Sequence, residues 1–371
     1  MIHNKMMGVV FGNTNDALLG EMTELRAISS LPFGGRYRLI DFALSNLIHA
    51  DVSRVAVLTR ANYRSLMDHL ESGKSWDLAR QNGGLTIVPP NSYADSGLND
   101  SKIRSLASLL EYIKRSAAEY IVLYNGDVVC NIDLKDMLRR HIEAEADISI
   151  AYTHGKAPNG DHNILRLEVE PEGGIRSISL AEKHAVCDYS LGILILSSSL
   201  LRTLILEAMS KNYVNLEADI ILRKVQELKM IGYRVDTFAE VIDSIRHYID
   251  ANMALLTPSV RKELFRKDRT VYTKVRNEMP AKYGLESRVS NSLISDGCII
   301  EGQVENSILF RGVKVGKGSV VRNCILMQST EVGSGVSLDY VCADKNVVIG
   351  DSRTLSGSDS YTVYIRKGSE V

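Results

Sequence analysis

A chain of 371 residues with 45% hydrophobic content can bury enough surface for two packed units. Its 44 Lys and Arg stand against 45 Asp and Glu, a net charge of −1 that offers no purchase to nucleic acid or an anionic membrane. The five cysteines, Cys130, Cys187, Cys298, Cys324 and Cys342, lack CxxC spacing, which points to reduced thiols rather than a zinc site or a disulfide framework. No basic segment followed by an apolar stretch opens the sequence, and no apolar run reaches about 18 residues, so the expected compartment is the cytoplasm.

In chain order, Met6, Met7, Val9, Val10 and Phe11 predict a strand that runs into a turn and then into Leu31-Pro-Phe-Gly-Gly-Arg-Tyr-Arg-Leu-Ile-Asp-Phe-Ala-Leu-Ser-Asn46. Strand, loop and helix start together read as a nucleotide site, because the loop and the helix N-terminus present backbone N–H groups beyond the carboxyl end of the strand. Val55 to Thr59 predicts a second strand, and Leu66, Met67 and Leu70 mark a helix. Trp76-Asp-Leu-Ala-Arg80 and Asn82-Gly83-Gly84 follow, then a helix with Ile103, Leu106, Leu110 and Ile113 on one face.

Tyr120 to Asp127 predicts a buried parallel strand ending in a carboxylate. Asp127 is either a metal ligand or a turn residue at a strand end. Asp133 caps a helix whose Leu134, Met137, Leu138, His141 and Ile142 share a face, with His141 at its boundary. Asp147 to Thr153 alternates as a strand does. The basic run Arg261 to Arg276, interrupted by Glu263 and Asp268, reads as a solvated linker or an interface rim. After it the period changes: Val315-Gly316, Val332-Gly333 and Ile349-Gly350 recur every 17 residues, with β-branched residues returning at about six within them. That is the pattern of a left-handed parallel β-helix, whose end coil is a natural assembly edge.

PFGGRYRLIDFALSN, joined by WDLAR and NGG at fixed spacing, resembles the ADP-glucose pyrophosphorylase (glucose-1-phosphate adenylyltransferase) family of glycogen synthesis. The resemblance implies an α/β fold: a Rossmann-like nucleotidyltransferase domain with a mostly parallel mixed sheet (residues 1–255), a linker (256–285) and a C-terminal left-handed parallel β-helix (286–371). It implies that Asp127 matches a metal ligand of the family and that Gly83 and Gly84 belong to the nucleotide pocket. It also makes Glu182, Lys183 and Ser190 contacts to a sugar phosphate, with surface ion pairing the other reading of Glu182 and Lys183.

The departures from the family fall on the chemistry. Asn13-Thr14-Asn15-Asp16-Ala17-Leu18 stands where the family has its Gly-rich loop, with Thr and Arg, and Ile28 replaces its Lys. Asn99-Asp100-Ser101-Lys102-Ile103-Arg104-Ser105 replaces Gly-Thr-Ala. Anchored on Ala251-Asn252-Met253, the second metal-binding Asp becomes Val241; Asp243 lies two residues on, about 6.6 Å along an extended chain, too far for a Mg²⁺ site with ligands at about 2.1 Å. The expectation is a non-catalytic, regulatory subunit with no catalytic residue, metal or cofactor of its own, assembling with a catalytic ADP-glucose pyrophosphorylase subunit in a heterotetramer. The alternatives are an active, Mg²⁺-dependent adenylyltransferase, and a hexapeptide acyltransferase. The last is disfavoured because no His follows His247.

Overall fold

The computed structural model describes residues 6–14, 16–60, 62–89, 101–158 and 164–371. Asn15, Asn99 and Asp100 lie outside them. Strand β1 (Met6–Phe11) is buried along its whole length, as a strand covered on both faces must be. The Gly-Gly pair then turns a short hairpin of β2 (Pro32–Phe33) and β3 (Tyr37–Arg38), with Gly34 at φ +58° and Gly35 at φ +85°. The chain enters α1 (Leu39–His49), where the Asp41 carboxylate accepts the Arg38 N–H at 2.9 Å and closes the first turn.

There follow β4 (Arg54–Leu58), α2 (Arg64–Leu70), β5 (Gly84–Val88), α3 (Lys102–Ser116), β6 (Tyr120–Asn125), β7 (Val128–Cys130) and α4 (Leu134–Glu143). Next come β8 (Ile148–Lys156), β9 (Leu165–Val169), β10 (Ile175–Leu180), β11 (Val186–Ser197), α5 (Ser198–Ser210), β12 (Met230–Arg234), β13 (Ala239–Val241), α6 (Ile245–Ala254) and α7 (Pro258–Leu264). The main sheet has nine strands, ordered β10-β9-β11-β6-β1-β4-β5, with β8 on β11 and β12 on β8. β6, β1, β4 and β5 are parallel, while β11 runs antiparallel to β6 and β8. One apolar cluster joins the sheet to α1 and α4, another to α3 and α5, so the sheet is covered on both faces. No helix among the described residues is long and apolar enough to cross a membrane.

Two expectations change in detail. His141 is not at a boundary: it is buried, with Nδ1 2.7 Å from Ser149 Oγ, while Ile142 is exposed. The buried stripe of α4 is Leu134, Met137, Leu138 and His141, an i, i+3, i+4, i+7 set that Ile142 overshoots. Met67 is exposed, and His69 takes its place on the buried face of α2. The basic run, exposed or half-buried along most of its length, is tied to the domain at two points: Asn131 Nδ2 donates to the carbonyls of Leu264 (2.9 Å) and Arg269 (2.8 Å), and Arg269 pairs with Asp133.

From Lys282 onward the chain winds into three parallel sheets of five strands each, a left-handed β-helix. Val315 sits opposite Val332 and Val332 opposite Ile349, which is the 17-residue repeat seen as stacking. One coil is shorter, with a step of 15 residues from Ile299 to Lys314. In the sheet built from Leu293–Ile294, Ile308–Leu309, Ile325–Leu326, Val341–Ala343 and Val363–Ile365, side chains alternate between two cores. Leu309, Leu326 and Ala343 fill the inside of the coils, whereas Ile308, Ile325 and Cys342 pack on Phe33, Phe42, Tyr248 and Leu255 of the N-terminal domain. All five cysteines are buried and free, and burial pushes the Cys130 and Cys324 thiols up to about 12.

Candidate nucleotide crevice

After β1 the chain builds β4 and β5 on one side and then returns to place β6 on the other, so strand order reverses between β1 and β6. An open α/β sheet forms its ligand crevice beyond the carboxyl ends of the strands at such a reversal. Here those ends are Phe11 and Asn125, directly opposite each other. The crevice holds the chain's own side chains. Lys102 Nζ lies 5.2 Å from the centre of the Phe11 ring, donates to Asn125 Oδ1 at 3.0 Å and pairs with the Glu217 carboxylate.

The loop after β1 is also closed on itself. Gly12 N–H donates to the Leu58 carbonyl at 2.8 Å, Asn13 Oδ1 accepts Arg60 N–H at 2.8 Å, and Asn13 Nδ2 donates to the Asp16 carboxylate. Asp16 Oδ1 accepts the backbone N–H of Ile28 at 2.9 Å, and Thr23 Oγ1 donates to the Asp16 carbonyl at 2.6 Å. An anion bound here would need donors such as the Arg60 and Ile28 amides, and both are satisfied by side-chain oxygens. Ile28 itself is fully buried.

Asp127 is fully buried at the turn after β6, and its carbonyl accepts Ile242 N–H at 3.0 Å, which docks β13 beside it. Val241 lies opposite Val128 with its side chain in the core. The Asp243 carboxylate is held by Ser244 Oγ at 3.1 Å and by His247 Nδ1 at 3.0 Å, while His247 Nε2 meets Glu240 at 2.8 Å. Burial pushes the His247 imidazole down, but the hydrogen bonds it donates to the Asp243 and Glu240 carboxylates outweigh that and raise its pKa to about 9. Mg²⁺ does not fit this arrangement: Val241 has no donor atom, Asp243 is bound to an imidazolium, and among the described residues no three acidic, His or Cys side chains are grouped to hold a metal.

The other residues singled out from the sequence are dispersed. Ser190 is buried on β11, where its Oγ accepts Gly192 N–H at 3.1 Å. Gly192 (φ +68°) leaves room for Asn125, whose Nδ2 would be 2.1 Å from a Cβ there, so Ser190 borders the crevice. Glu182 and Lys183 are exposed on the turn between β10 and β11. Gly83 and Gly84 lie at the opposite end of the sheet from the crevice: Gly84 pairs with Arg54 at the start of β4, and its N–H donates to the Ser53 carbonyl at 2.7 Å. A Cβ would be 2.8 Å from that carbonyl at Gly83 and 2.5 Å from the Leu78 carbonyl at Gly84. Close backbone packing, not phosphate contact, requires these two glycines. Sequence reading missed Lys102 as an occupant, although its segment replaces the family's Gly-Thr-Ala. Glu217 carried no signal at all.

A second cluster lies where the β2–β3 hairpin meets the β-helix. Arg36, Arg38, Lys274, Arg276, Arg311 and Lys345 line one cleft. Burial, then Arg38 and Arg26, pushes the Lys345 ammonium down to about 6, and burial, then Arg36 and Arg276, lowers the Arg311 guanidinium. Cations gathered this closely suit an anion.

This architecture defines a nucleotidyl transferase-type domain joined to a hexapeptide β-helix, and the family models agree: residues 19–183 match "Nucleotidyl transferase" and residues 278–361 match "GlmU-like, C-terminal hexapeptide". The chain is 36% identical to the glycogen biosynthesis protein GlgD of Bacillus subtilis (strain 168) over 368 residues, covering 99% of this chain and 97% of that one. It is 37% identical to GlgD of Geobacillus stearothermophilus over 323 residues, covering 86% and 84%. A glucose-1-phosphate adenylyltransferase of Bacillus cereus (strain Q1) is 28% identical over 365 residues, covering 94% and 93%. The chain belongs to the GlgD family of glycogen biosynthesis proteins.

Proposed function

We propose that this chain is a non-catalytic, regulatory subunit in glycogen synthesis, acting in the cytoplasm by assembling with a catalytic ADP-glucose pyrophosphorylase homologue, as a heterotetramer. The observation that carries this reading is the crevice at the β1–β6 reversal, filled by Lys102 and Glu217 where a nucleotide would lie. Nucleotidyl transfer depends on positioning and charge neutralisation, and a bound metal supplies several kcal/mol of transition-state stabilisation. At about 1.4 kcal/mol per tenfold in rate, losing the metal partner at Val241, the loop Arg and the Gly-rich cradle together should remove many orders of magnitude. The cationic cleft at the domain junction supports the regulatory half of the reading, because an anion there would touch both domains and bias how they pack.

An active adenylyltransferase is the competing reading, favoured by the relatives at 28% identity that carry that name. Two measurements decide. The purified chain with ATP, glucose-1-phosphate and Mg²⁺ is expected to show no ADP-glucose synthesis; turnover within tenfold of an ordinary enzyme rate of about 10 s⁻¹ would sink the proposal. Mixed with a catalytic homologue from its own source, it is expected to form a larger particle by light scattering and to change that partner's kcat or apparent substrate affinity. If it stays separate, or assembles and changes nothing, it is not a regulatory subunit.

A further inference from the structure

We infer that the Lys102–Glu217 ion pair is a built-in occupant of the nucleotide crevice, a latch that holds the domain in one closed state that no nucleotide can displace. The inference uses the non-catalytic reading only in supposing that the crevice has no substrate to admit.

The latch joins two segments that are 115 residues apart in sequence. Lys102 is the first residue of α3, just after the N-cap Ser101, whose Oγ accepts Arg104 N–H. Glu217 lies on the single-turn π-helix Leu216–Ile221, whose start is fixed by Asn215 Oδ1 accepting the N–H groups of Glu217 and Ala218 at 3.0 Å each. Both ends are thus anchored to their own backbones, and closing the pair pins the head of α3 to the π-turn across the ends of β1 and β6. π-Helical turns are rare and are found frequently at functional sites.

The pair is only 16% (Lys102) and 11% (Glu217) exposed, so water screens it little. Asn125 adds a neutral acceptor and the Phe11 face a cation–π contact, so the ammonium has two further partners besides the carboxylate. A tethered carboxylate meets the ammonium at the high effective concentration of an intramolecular contact. ATP cannot use this cation without first breaking the pair, and it would bring its phosphates against Asp16 and Asp127. The latch therefore makes the state of this domain independent of nucleotide.

Hydrogen exchange on the full-length chain tests this, with wild type, Lys102→Met, Glu217→Gln and the charge-swapped Lys102→Glu/Glu217→Lys. In wild type, exchange over residues 101–116 and 216–221 is expected to be unchanged by ATP with Mg²⁺. Each single change is expected to raise exchange at least tenfold in both segments, including the one not mutated, and the swap to restore protection in both. Exchange that rises only around the substituted residue would overturn the latch, as would ATP-induced protection in wild type. If one single variant does not fold, the other and the swap give the same comparison. ADP-glucose synthesis by wild type would instead refute the non-catalytic reading, so the two failures are distinguishable.

Discussion

Arg26 of the N-terminal domain and Asp344 of the β-helix form an ion pair in which the side chains are only 5% and 2% exposed, and Tyr364 donates its O–H to the same carboxylate at 2.8 Å. Arg26 Nε also donates to the Met22 carbonyl at 2.8 Å, so the guanidinium is held from within its own domain as well. Removing one partner leaves a buried charge uncompensated, at a cost of about 3–5 kcal/mol. Arg26→Met is therefore expected to lower the urea midpoint sharply, and Arg26→Met/Asp344→Leu to recover much of the loss. An unmoved midpoint for the single variant would show that the pair holds nothing.

The His247 imidazole, with its pKa raised to about 9, makes a pH-dependent contribution of definite sign. A folded pKa above the unfolded value of about 6.5 stabilises the fold fully below pH 6.5, and that stability drains away as pH rises through 9. A tenfold difference in proton affinity between the folded and unfolded chain is worth about 1.4 kcal/mol, so the contribution is about 3 kcal/mol. Denaturant unfolding of wild type and His247→Gln at pH 6 and pH 9.5 isolates it: the advantage of wild type is expected at the lower pH and nearly gone at the higher. An advantage that does not shrink would mean that Glu240 and Asp243 do not hold a cation.

Close packing between coils predicts which glycines matter. A Cβ on Gly316 would be 2.4 Å from the Gly333 carbonyl oxygen, backbone against backbone with no flexible neighbour to yield. Gly316→Ala is expected to cost about 1–3 kcal/mol. Gly155→Ala on β8, whose nearest neighbour would be Tyr189 Cε1 at 3.7 Å, is expected to stay within about 0.5 kcal/mol of wild type. Melting curves of the two variants check the contrast, and equal losses would contradict it.

Rebuilding the family's nucleotide residues is not expected to restore binding by itself. Val241→Asp with Leu18→Arg, Ile28→Lys and glycines at 13, 14 and 16 leaves Lys102 paired with Glu217, and it deprives the Ile28 N–H of its Asp16 acceptor. Calorimetry with ATP is expected to give no heat for this variant and measurable heat once Lys102→Ala and Glu217→Ala are added. Tight binding before the latch is removed would show that the crevice was open all along.

The parts of this molecule that repeat or alternate were legible in the sequence. Val315, Val332 and Ile349 announced the coils because each stacks on the next, and the apolar run of β1 announced a central strand because both of its faces are covered. The 15-residue coil escaped because a single shortened step breaks the period without leaving a residue that marks it. The crevice was legible only as loss. Which side chains fill it depends on Glu217 meeting Lys102 across the fold, and no local pattern records a contact of that range. Gly83 and Gly84 misled for a related reason: a left-handed turn needs glycine whether it faces a phosphate or a carbonyl oxygen, and here it faces Ser53.

The sheet whose alternate residues Ile308, Ile325 and Cys342 lie on the N-terminal domain runs the length of the β-helix. A bare solenoid is a one-dimensional stack that frays from its ends, one coil at a time. Here the α/β domain is a splint along the whole stack: no coil can leave without exposing apolar surface on a body that the other coils still hold. The two architectures are therefore thermodynamically one, and the chain should melt in a single cooperative step with no half-unwound solenoid along the way.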